Sequence, residues 1–301
     1  MGDLKMKGNT PVFEGAATAL ITPLNEKGID YKQFERLIKW QIDSGIDALV
    51  ICGTTGEGST LTDAEHKAAI AFAANTAAGA VPIIAGTGSN ETDYAIELTS
   101  FASKVGAAAS LVVTPYYNKA TQNGLIKTYN MIASCSDMPM ILYNVPSRTG
   151  INIEPSTYVE LAKHPNIVGI KEANGNLSKI VETFSLVGDQ LDIYSGNDDQ
   201  IIPIMSMGGK GVISVLSNVC PKETSGLCKM YLAGNVKEAA AEQCRFMPLI
   251  RSLFCEVNPI PVKAAMSLMG FCENYLRLPL TQMEDAHFEV LKERMAELEL
   301  I

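Results

Sequence analysis

Short apolar runs alternate with amphipathic segments along the chain, and this alternation repeats eight times. Each run has four to seven residues and lacks a regular polar residue at every second position. This pattern is typical of parallel strands that are buried on both faces of a sheet. The eight predicted strands span residues 16–22, 48–52, 82–85, 110–114, 140–143, 167–171, 192–195 and 212–215.

The segments between the runs have the spacing and the end signals of helices. The sequence Asp63-Ala-Glu-His66, for example, suits a helix start with an N-cap and acid in the first turn. The predicted helices cover residues 31–44, 92–105, 124–135, 155–162, 178–186, 200–207 and 222–233, together with one that begins near residue 63.

Eight strand–helix units favour an α/β fold in which the sheet closes into a (β/α)8 TIM barrel. An open, doubly wound sheet is the alternative, although it usually contains fewer units. We predict a barrel domain over residues 1–235 and an extra C-terminal helical region over residues 236–301 that packs on the barrel. Pro259 and Pro261 interrupt the helical pattern of this C-terminal region.

The net charge of the chain argues against two classes of partner. A net charge of −9 disfavours nucleic acid and anionic membrane surfaces, because both require clustered Lys and Arg. The apolar runs are much shorter than the ~20 residues that cross a bilayer. Residues 1–10 are polar and lack the apolar core of a secretory signal. We therefore expect a cytoplasmic protein that binds neither nucleic acid nor a membrane.

Seven cysteines are scattered along the chain without a CxxC pair. Their odd number and irregular spacing argue against a disulfide scaffold and against a zinc site. Such cysteines suit a reducing cytosol, where they serve as small apolar core residues. The three histidines, His66, His164 and His287, also lack a metal-binding spacing, so we predict no metal.

The barrel fold makes a specific prediction, because its active sites lie at the carboxyl ends of the strands. In this chain those ends carry hydroxyls, phenols, an arginine and a lysine, but no histidine. They are Gly53-Thr-Thr-Gly-Glu57, Thr114-Pro-Tyr-Tyr-Asn118, Tyr143-Asn-Val-Pro-Ser-Arg-Thr-Gly150, Lys171-Glu172 and Ser195-Gly-Asn-Asp198.

Lys171 ends the sixth run and shares a strand face with Gly169, whose small size is expected to leave room beside it. Desolvation at the mouth of a barrel favours neutral amines, and a neutral amine attacks a ketone to form an imine. An ordinary lysine that extends to solvent is the alternative, and position alone leaves both open.

Tyr143 and Arg148 follow the fifth run. The phenol of Tyr143 can shuttle protons to an imine-forming amine, whereas the alternative is a core tyrosine with its hydroxyl at the rim. Arg148 lies in a predicted loop between Pro146 and Gly150. Its guanidinium matches a carboxylate bidentately, whereas the alternative is a surface salt bridge. Judged alone, each residue is better explained by the structural alternative.

The sequence Gly53-Thr-Thr-Gly-Glu-Gly58 resembles an anion-binding loop, but it has the spacing of neither a P-loop nor a dinucleotide fingerprint. Its glycines permit tight turns around Thr54 and Thr55. The two hydroxyls would relay protons, or the loop would hold a small carboxylate with its backbone N–H groups. A simple turn is the alternative.

Seven segments together resemble the dihydrodipicolinate synthase family of the N-acetylneuraminate lyase superfamily. They occur in the family's order and span nearly the whole chain, although each is only modestly specific by itself. The segments are Gly53-Thr-Thr-Gly-Glu57, Thr114-Pro-Tyr-Tyr-Asn118, Tyr143-Asn-Val-Pro-Ser-Arg-Thr-Gly150, Gly169-Ile-Lys-Glu-Ala173, Tyr194-Ser-Gly-Asn197, Gly211-Val-Ile-Ser214 and Asn258-Pro-Ile-Pro-Val-Lys263.

The resemblance implies that pyruvate condenses with L-aspartate-4-semialdehyde to 4-hydroxy-tetrahydrodipicolinate, the committed step towards diaminopimelate and lysine. It implies that Lys171 forms a Schiff base with pyruvate, so that no separate cofactor is needed. Tyr143 matches the family's proton donor and acceptor. Thr55 and Tyr117 match its proton relay, with Thr54 beside them.

Two further positions carry implied roles. Arg148 matches the residue that receives the carboxylate of the semialdehyde, and Ile213 matches a backbone contact to pyruvate. The family contributes the Tyr117 position across a subunit interface. The resemblance therefore implies a homo-oligomer, usually a tetramer built from two dimers.

The same residues distinguish between the alternative functions. Sialic acid lyases share the threonine loop (residues 53–58), the tyrosine and the lysine, but they usually lack an arginine at the position of Arg148. We therefore favour the synthase reaction over a sialate or 2-keto-3-deoxy sugar acid lyase. A keto-acid-binding barrel without turnover is a third class, and it would not need the amine of Lys171.

The resemblance also bears on inhibition by lysine. His66, Asn90 and Tyr116 match positions of the dimer-interface pocket in lysine-inhibited members of the family. Tyr94 stands where those members often carry a glutamate, which removes a partner for the amine of lysine. We therefore expect weak or absent inhibition.

Overall fold

The computed structural model describes residues 10–301. Eight parallel strands close into a barrel, which confirms the predicted (β/α)8 architecture and rules out the open sheet. The strands are β1 (Gly15–Ala19), β2 (Ala48–Ile51), β3 (Ile83–Gly86), β4 (Ala109–Val113), β5 (Met140–Asn144), β6 (Ile167–Glu172), β7 (Asp192–Ser195) and β8 (Gly211–Ser214). Residues 1–9, which hold most of the stretch predicted not to be an export signal, lie outside the described part.

Helices surround the barrel and extend it at the C-terminus. Those in the described part of the chain are α1 (Tyr31–Asp43), α2 (Asp63–Ala77), α3 (Thr92–Lys104), α4 (Gln122–Ala133), α5 (Pro146–Thr149), α6 (Pro155–Leu161), α7 (Leu177–Val187), α8 (Ile201–Met205), α9 (Pro221–Leu232), α10 (Val236–Leu253), α11 (Ile260–Leu268) and α12 (Asp285–Glu297). The one-turn helix α5 and a small hairpin that pairs Leu24–Asn25 with Gly28–Ile29 were absent from the sequence prediction.

The predicted end of the first strand was wrong for a local reason. β1 ends at Ala19 rather than at residue 22, since the chain then turns towards Asn218, whose side chain accepts the N–H of Ile21 at 3.0 Å. α2 begins at Asp63, as predicted, but its N-cap is Thr62. Thr62 and Glu65 form a capping box, in which each side chain accepts the backbone N–H of the other.

Apolar side chains fill the inside of the barrel and the layer between the strands and the helices. The interior cluster includes Ala17, Val50, Ile84, Leu111, Ile141, Tyr194 and Ile213. Burial of each large aliphatic side chain contributes about 1.5–3 kcal/mol of stability. The inside of the barrel is therefore a packed core, and only its carboxyl end is available for a ligand.

The C-terminal helices share the main core with the barrel. Phe246 of α10, Val262 of α11 and Leu291 of α12 belong to the same apolar cluster as Leu49 of β2. This packing confirms an extra helical region on the barrel, although the domain boundary at residue 235 stays a prediction. None of the helices in residues 10–301 is long and apolar enough to cross a membrane.

A buried polar network joins β5 to β6 on the outside of the barrel. The register pairs Asn144 with Glu172. Asn144 donates to the Glu172 carboxyl at 3.0 Å, the Tyr158 hydroxyl donates to it at 3.1 Å, and the backbone N–H of Asn174 donates at 2.9 Å. Burial nevertheless raises the pKa of Glu172 to about 7. These hydrogen bonds stabilise one register between the two strands.

The first prediction concerns the closure of the barrel between β1 and β8. Gly211 has φ +141°, and a Cβ at this position would overlap the carbonyl oxygen of Gly15. We expect Gly211→Ala to lower the free energy of unfolding by about 3 kcal/mol or more, since both strands must shift. Denaturant unfolding measures this loss.

Gly226→Ala in α9 is the matched control, because nothing lies within 4 Å of a Cβ built there. Alanine in place of a helical glycine is expected to stabilise by up to about 1 kcal/mol. Equal unfolding free energies for the two variants would contradict the proposed closure contact.

The second prediction concerns the raised pKa of Glu172. The folded carboxyl titrates at about 7, against an ordinary value of 4.5. Its stabilising effect is therefore fully present below pH 4.5 and is lost as the pH rises through 7, a loss of roughly 3 kcal/mol.

The measurement is the free energy of unfolding of the parent and of Glu172→Gln across this pH range. Substitution by glutamine changes the free energy of unfolding by an amount that does not vary with pH. Only the parent therefore loses stability through this position as the pH rises. A difference between the two proteins that stays constant from pH 4.5 to above 7 would rule the raised pKa out.

Candidate active site

Lys171 and Tyr143 lie side by side inside the carboxyl end of the barrel. The register of β5 and β6 pairs them directly, and Lys171 Nζ lies 4.3 Å from the centroid of the Tyr143 ring. Only 6% of Lys171 and 7% of Tyr143 are exposed. The structure therefore excludes a Lys171 that extends to bulk solvent.

The space beside Lys171 comes from a glycine other than the one expected. A Cβ at Gly169 would lie 2.8 Å from the carbonyl oxygen of Asp192 and 3.5 Å from the Tyr194 ring, so β7 already fills that position. A Cβ at Gly196 would lie 2.7 Å from the Cβ of Ala173, 3.1 Å from the carbonyl oxygen of Glu172 and 3.2 Å from Lys171 Cε. The missing side chain of Gly196, which follows β7, therefore leaves room for the end of β6, including the lysine.

The threonine loop after β2 is a compact turn. The N–H of Glu57 donates to the carbonyl of Thr54 at 3.1 Å, and Glu57 adopts a left-handed conformation with φ +54°. This turn buries Thr55, of which 2% is exposed, and leaves Thr54 partly accessible. The two adjacent hydroxyls therefore face different surroundings.

A cavity of about 410 Å³ lies at this end of the barrel, which is a suitable size for a small molecule. Its lining includes Thr54, Tyr94, Val113, Tyr116, Tyr143 and Arg148, together with His66. Lys171, Thr55 and Ile213 lie outside this lining, and Lys171 adjoins it through the Tyr143 ring.

His66, Tyr94 and Tyr116, on which the expectation about lysine inhibition depends, also line this cavity. Weak or absent inhibition by lysine stays a prediction.

Arg148 lies on the one-turn helix α5 rather than in the predicted loop. Its side chain is exposed, and Nη2 donates to the carbonyl oxygen of Asn258 at 3.1 Å. The side chain of Asn258 in turn donates from Nδ2 to Thr55 Oγ1 at 3.0 Å. Asn258, to which sequence reasoning gave no role, thus connects the arginine at the mouth to the buried threonine.

The structure does not bring Tyr117 to the other site residues within one chain. Tyr117 is 92% exposed and has φ +72° in the connection between β4 and α4. Ile213, by contrast, is fully buried in β8 and pairs with Ala17 of β1. Its backbone, rather than its apolar side chain, is the part that can hold a polar substrate group.

Asp198 is a second group to which sequence reasoning gave no role, although it ends the segment Ser195-Gly-Asn-Asp198 after a predicted strand. Its Oδ2 accepts the N–H groups of Val215 at 3.0 Å and Leu216 at 2.9 Å, directly after β8. Burial raises the pKa of Asp198, and its Oδ1 has no hydrogen-bond partner within residues 10–301. This carboxyl therefore holds the backbone of Val215 and Leu216 in place, close to Ile213 of β8.

The donor set limits the chemistry of the site. Within the part of the chain that the structure describes, no group of three or more His, Cys, Asp or Glu is arranged to hold a metal ion. The residues that converge are an amine, two threonine hydroxyls, a phenol and a guanidinium. This set suits nucleophilic attack by the amine, proton transfer between hydroxyls and binding of a carboxylate.

Comparisons with known proteins agree with this geometry. The model of the dihydrodipicolinate synthetase family matches residues 12–298. A 4-hydroxy-tetrahydrodipicolinate synthase from Thermoanaerobacter sp. (strain X514) is 49% identical over 292 residues, which are 97% of this chain and 98% of that protein.

Solved structures give the same result. Dihydrodipicolinate synthase from Thermotoga maritima has a TM-score of 0.95 at 41% identity, over 97% of this chain and 100% of that one. The enzyme from Acinetobacter baumannii, crystallised with pyruvate, has a TM-score of 0.93 at 42% identity, over 96% and 99%. The chain therefore belongs to the dihydrodipicolinate synthetase family.

Proposed function

We propose that the protein is a 4-hydroxy-tetrahydrodipicolinate synthase, a lyase that condenses pyruvate with L-aspartate-4-semialdehyde. The observation that carries this proposal is the buried amine of Lys171 against the ring of Tyr143, in a chain 49% identical to a protein of that name. The product supplies diaminopimelate and lysine biosynthesis. A cytoplasmic location accords with seven cysteines that are all free thiols.

The first chemical step is capture of pyruvate by Lys171. The neutral amine attacks the ketone carbon, a C–N bond forms, and the carbonyl oxygen leaves as water after it has gained two protons. Tyr143 donates and accepts protons at this centre, and Thr55 exchanges them with it. The backbone at Ile213 binds pyruvate. No separate cofactor is required, because the imine itself withdraws electrons from the pyruvate methyl group.

The second step joins the two substrates. The imine nitrogen carries a proton, and transfer of a methyl proton to the relay of Tyr143 and Thr55 converts this iminium to a neutral enamine. The enamine carbon attacks the aldehyde carbon, which regenerates the iminium, and the resulting alkoxide takes a proton from Tyr143. Arg148 binds the carboxylate of the semialdehyde through charge-assisted hydrogen bonds. The amino group of the semialdehyde then attacks the imine carbon, which closes the ring and releases Lys171.

We further propose a homo-oligomer, a tetramer of two dimers, in which Tyr117 enters the proton relay of the neighbouring subunit. The support is that Tyr117 is 92% exposed, whereas Thr55 and Tyr143 of the same chain are buried. A large aromatic side chain with this exposure is typical of an interface residue.

Arg148 favours the synthase over the two alternative functions. A sialate or 2-keto-3-deoxy sugar acid lyase would take a polyhydroxylated aldehyde, which does not need a guanidinium at the mouth. A keto-acid-binding protein without turnover needs no buried amine. Product formation from pyruvate with aspartate semialdehyde, compared with pyruvate and N-acetylmannosamine, separates the three.

The third prediction tests the nucleophile. Borohydride reduction in the presence of pyruvate should fix a stable adduct on Lys171, and peptide mass mapping locates it. Lys171→Ala should give no adduct and lower kcat by about 10³-fold or more, since the covalent path is lost. Lys263, which is also buried, is the internal control and should stay unlabelled. A label on another lysine would overturn the proposed mechanism.

The fourth prediction tests the arginine. We expect Arg148→Leu to raise KM for the semialdehyde about 10- to 100-fold, because a charge-assisted hydrogen bond to its carboxylate is lost. Trapping of pyruvate on Lys171 should stay at the parent's rate. An unchanged KM, or faster turnover with N-acetylmannosamine than with the semialdehyde, would favour the sugar acid lyase.

The fifth prediction tests the contribution of Tyr117 between subunits. Tyr117→Phe and Lys171→Ala should each be nearly inactive alone. In a mixed dimer, one of the two sites then has both an intact lysine and an intact tyrosine, so co-refolded variants should recover about a quarter of parent activity from random pairing. Sedimentation measures the oligomeric state, and mixtures no more active than their components would contradict the arrangement.

A further inference from the structure

A fully buried ion pair joins the threonine loop to the C-terminal helices. The side chains of Glu57 and Lys263 are both 0% exposed, and Lys263 Nζ donates to Glu57 Oε1. Lys263 also donates to the carbonyl oxygen of Thr22 at 2.8 Å, and Glu57 Oε2 accepts the backbone N–H of Arg277 at 3.2 Å. Each charge therefore has a charged partner and a second hydrogen-bond partner.

Stability alone does not account for such a pair. Moving two charges out of water costs several kcal/mol for each ion, and apolar residues of similar volume often replace a buried pair without loss of stability. Burial lowers the pKa of the Lys263 ammonium, and the Glu57 carboxylate opposes that shift. What the pair supplies, and an apolar contact does not, is a fixed direction and distance between two segments.

The two segments that the pair joins are those that determine the position of Thr55. Glu57 lies two residues after Thr55 in the tight turn, and Lys263 lies five residues after Asn258. Asn258 donates to Thr55 Oγ1 at 3.0 Å. The loop and the C-terminal segment are thus connected twice, once at Glu57 and once at the threonine hydroxyl itself.

The hydrogen bond from Asn258 also determines the direction of the Thr55 hydroxyl. Because Thr55 Oγ1 accepts the amide hydrogen of Asn258, its own proton points elsewhere and can be donated. A small displacement of the loop would lengthen this bond and misdirect that proton. A misplacement of about 1 Å can lower a rate by about 10²-fold.

We propose that Glu57 and Lys263 are positioning residues, which hold Thr55 in register with Asn258 and so determine its proton transfer to Tyr143. This inference rests on the proposed function. The pair touches no reacting atom, so its effect is confined to steps that use the Thr55 hydroxyl. The C-terminal helical region is, by this inference, part of the catalytic apparatus of the barrel.

The test removes both charges together, since removal of one would leave the other buried and unpaired, which is strongly destabilising. Glu57→Gln combined with Lys263→Met keeps the side-chain volumes. We expect this double variant to remain folded and to lower both kcat and the rate of borohydride-trappable imine formation about 10- to 100-fold. KM for the semialdehyde should change less than twofold, because Arg148 is untouched.

Repeating the substitutions in a Thr55→Val background separates positioning from general damage. If the pair acts through the threonine hydroxyl, the double variant should lower kcat less than about twofold in this background. An equal fall in both backgrounds, or no fall in the parent background, would overturn the proposal. A fall in kcat accompanied by unfolding in circular dichroism would also count against it.

Arg36→Met is the matched control. Arg36 of α1 donates to the carbonyl of Gly270 at 2.9 Å, so it too joins the C-terminal region to the barrel. It is not part of the hydrogen-bond network around Glu57, Lys263 and Thr55, and kcat should stay at the parent value. A separate result would contradict the proposed function itself, namely that no pyruvate adduct forms on Lys171 of the parent protein.

Discussion

The contact between the Lys171 amine and the Tyr143 ring is the interaction on which the rest of the site depends. It exists because β5 and β6 pair in one register, and a slip of either strand by one residue would turn its own member of the pair away from the barrel interior. The hydrogen bonds between Asn144 and Glu172 hold the same register from the outer face. The wall of the barrel thus has Lys171 and Tyr143 on its inner face and the hydrogen bonds that support their register on its outer face.

The C-terminal helices contribute more than apolar burial. Through Asn258 they contact both Arg148 and Thr55, and through Lys263 they contact the turn that carries Thr55. A single segment therefore contacts both Arg148, which is proposed to bind a carboxylate, and Thr55, which is proposed to transfer protons. In the proposed mechanism the barrel supplies the nucleophile, and the additional helices control how the threonine loop is placed around it.

Charge at the site differs in sign from charge on the whole molecule. The chain carries a net charge of −9, yet its proposed substrates are a keto acid and an amino acid semialdehyde. The long-range field does not draw anions in, so binding depends on local cations and backbone donors at the carboxyl ends of the strands. In the proposed mechanism Arg148 provides this local cationic character at the mouth of the site.

The sequence by itself determined the order and type of the barrel elements, because buried parallel strands and amphipathic helices follow local periodicity. It also placed Lys171, Tyr143, Thr54, Thr55 and Arg148 at one end of the barrel, since the fold puts all strand ends there. The small hairpin and α5 were not predicted, because elements of two to four residues are too short to show a periodic pattern.

Only the tertiary structure decided which neighbours those residues have. It assigned the space beside Lys171 to Gly196 rather than to Gly169, and it paired Glu57 with Lys263 and Thr55 with Asn258 across separations of 206 and 203 residues. A lysine in a helix or an asparagine before a proline looks the same whether or not it has such a partner. The partner is brought close only when the barrel has closed and the last helices have packed against it.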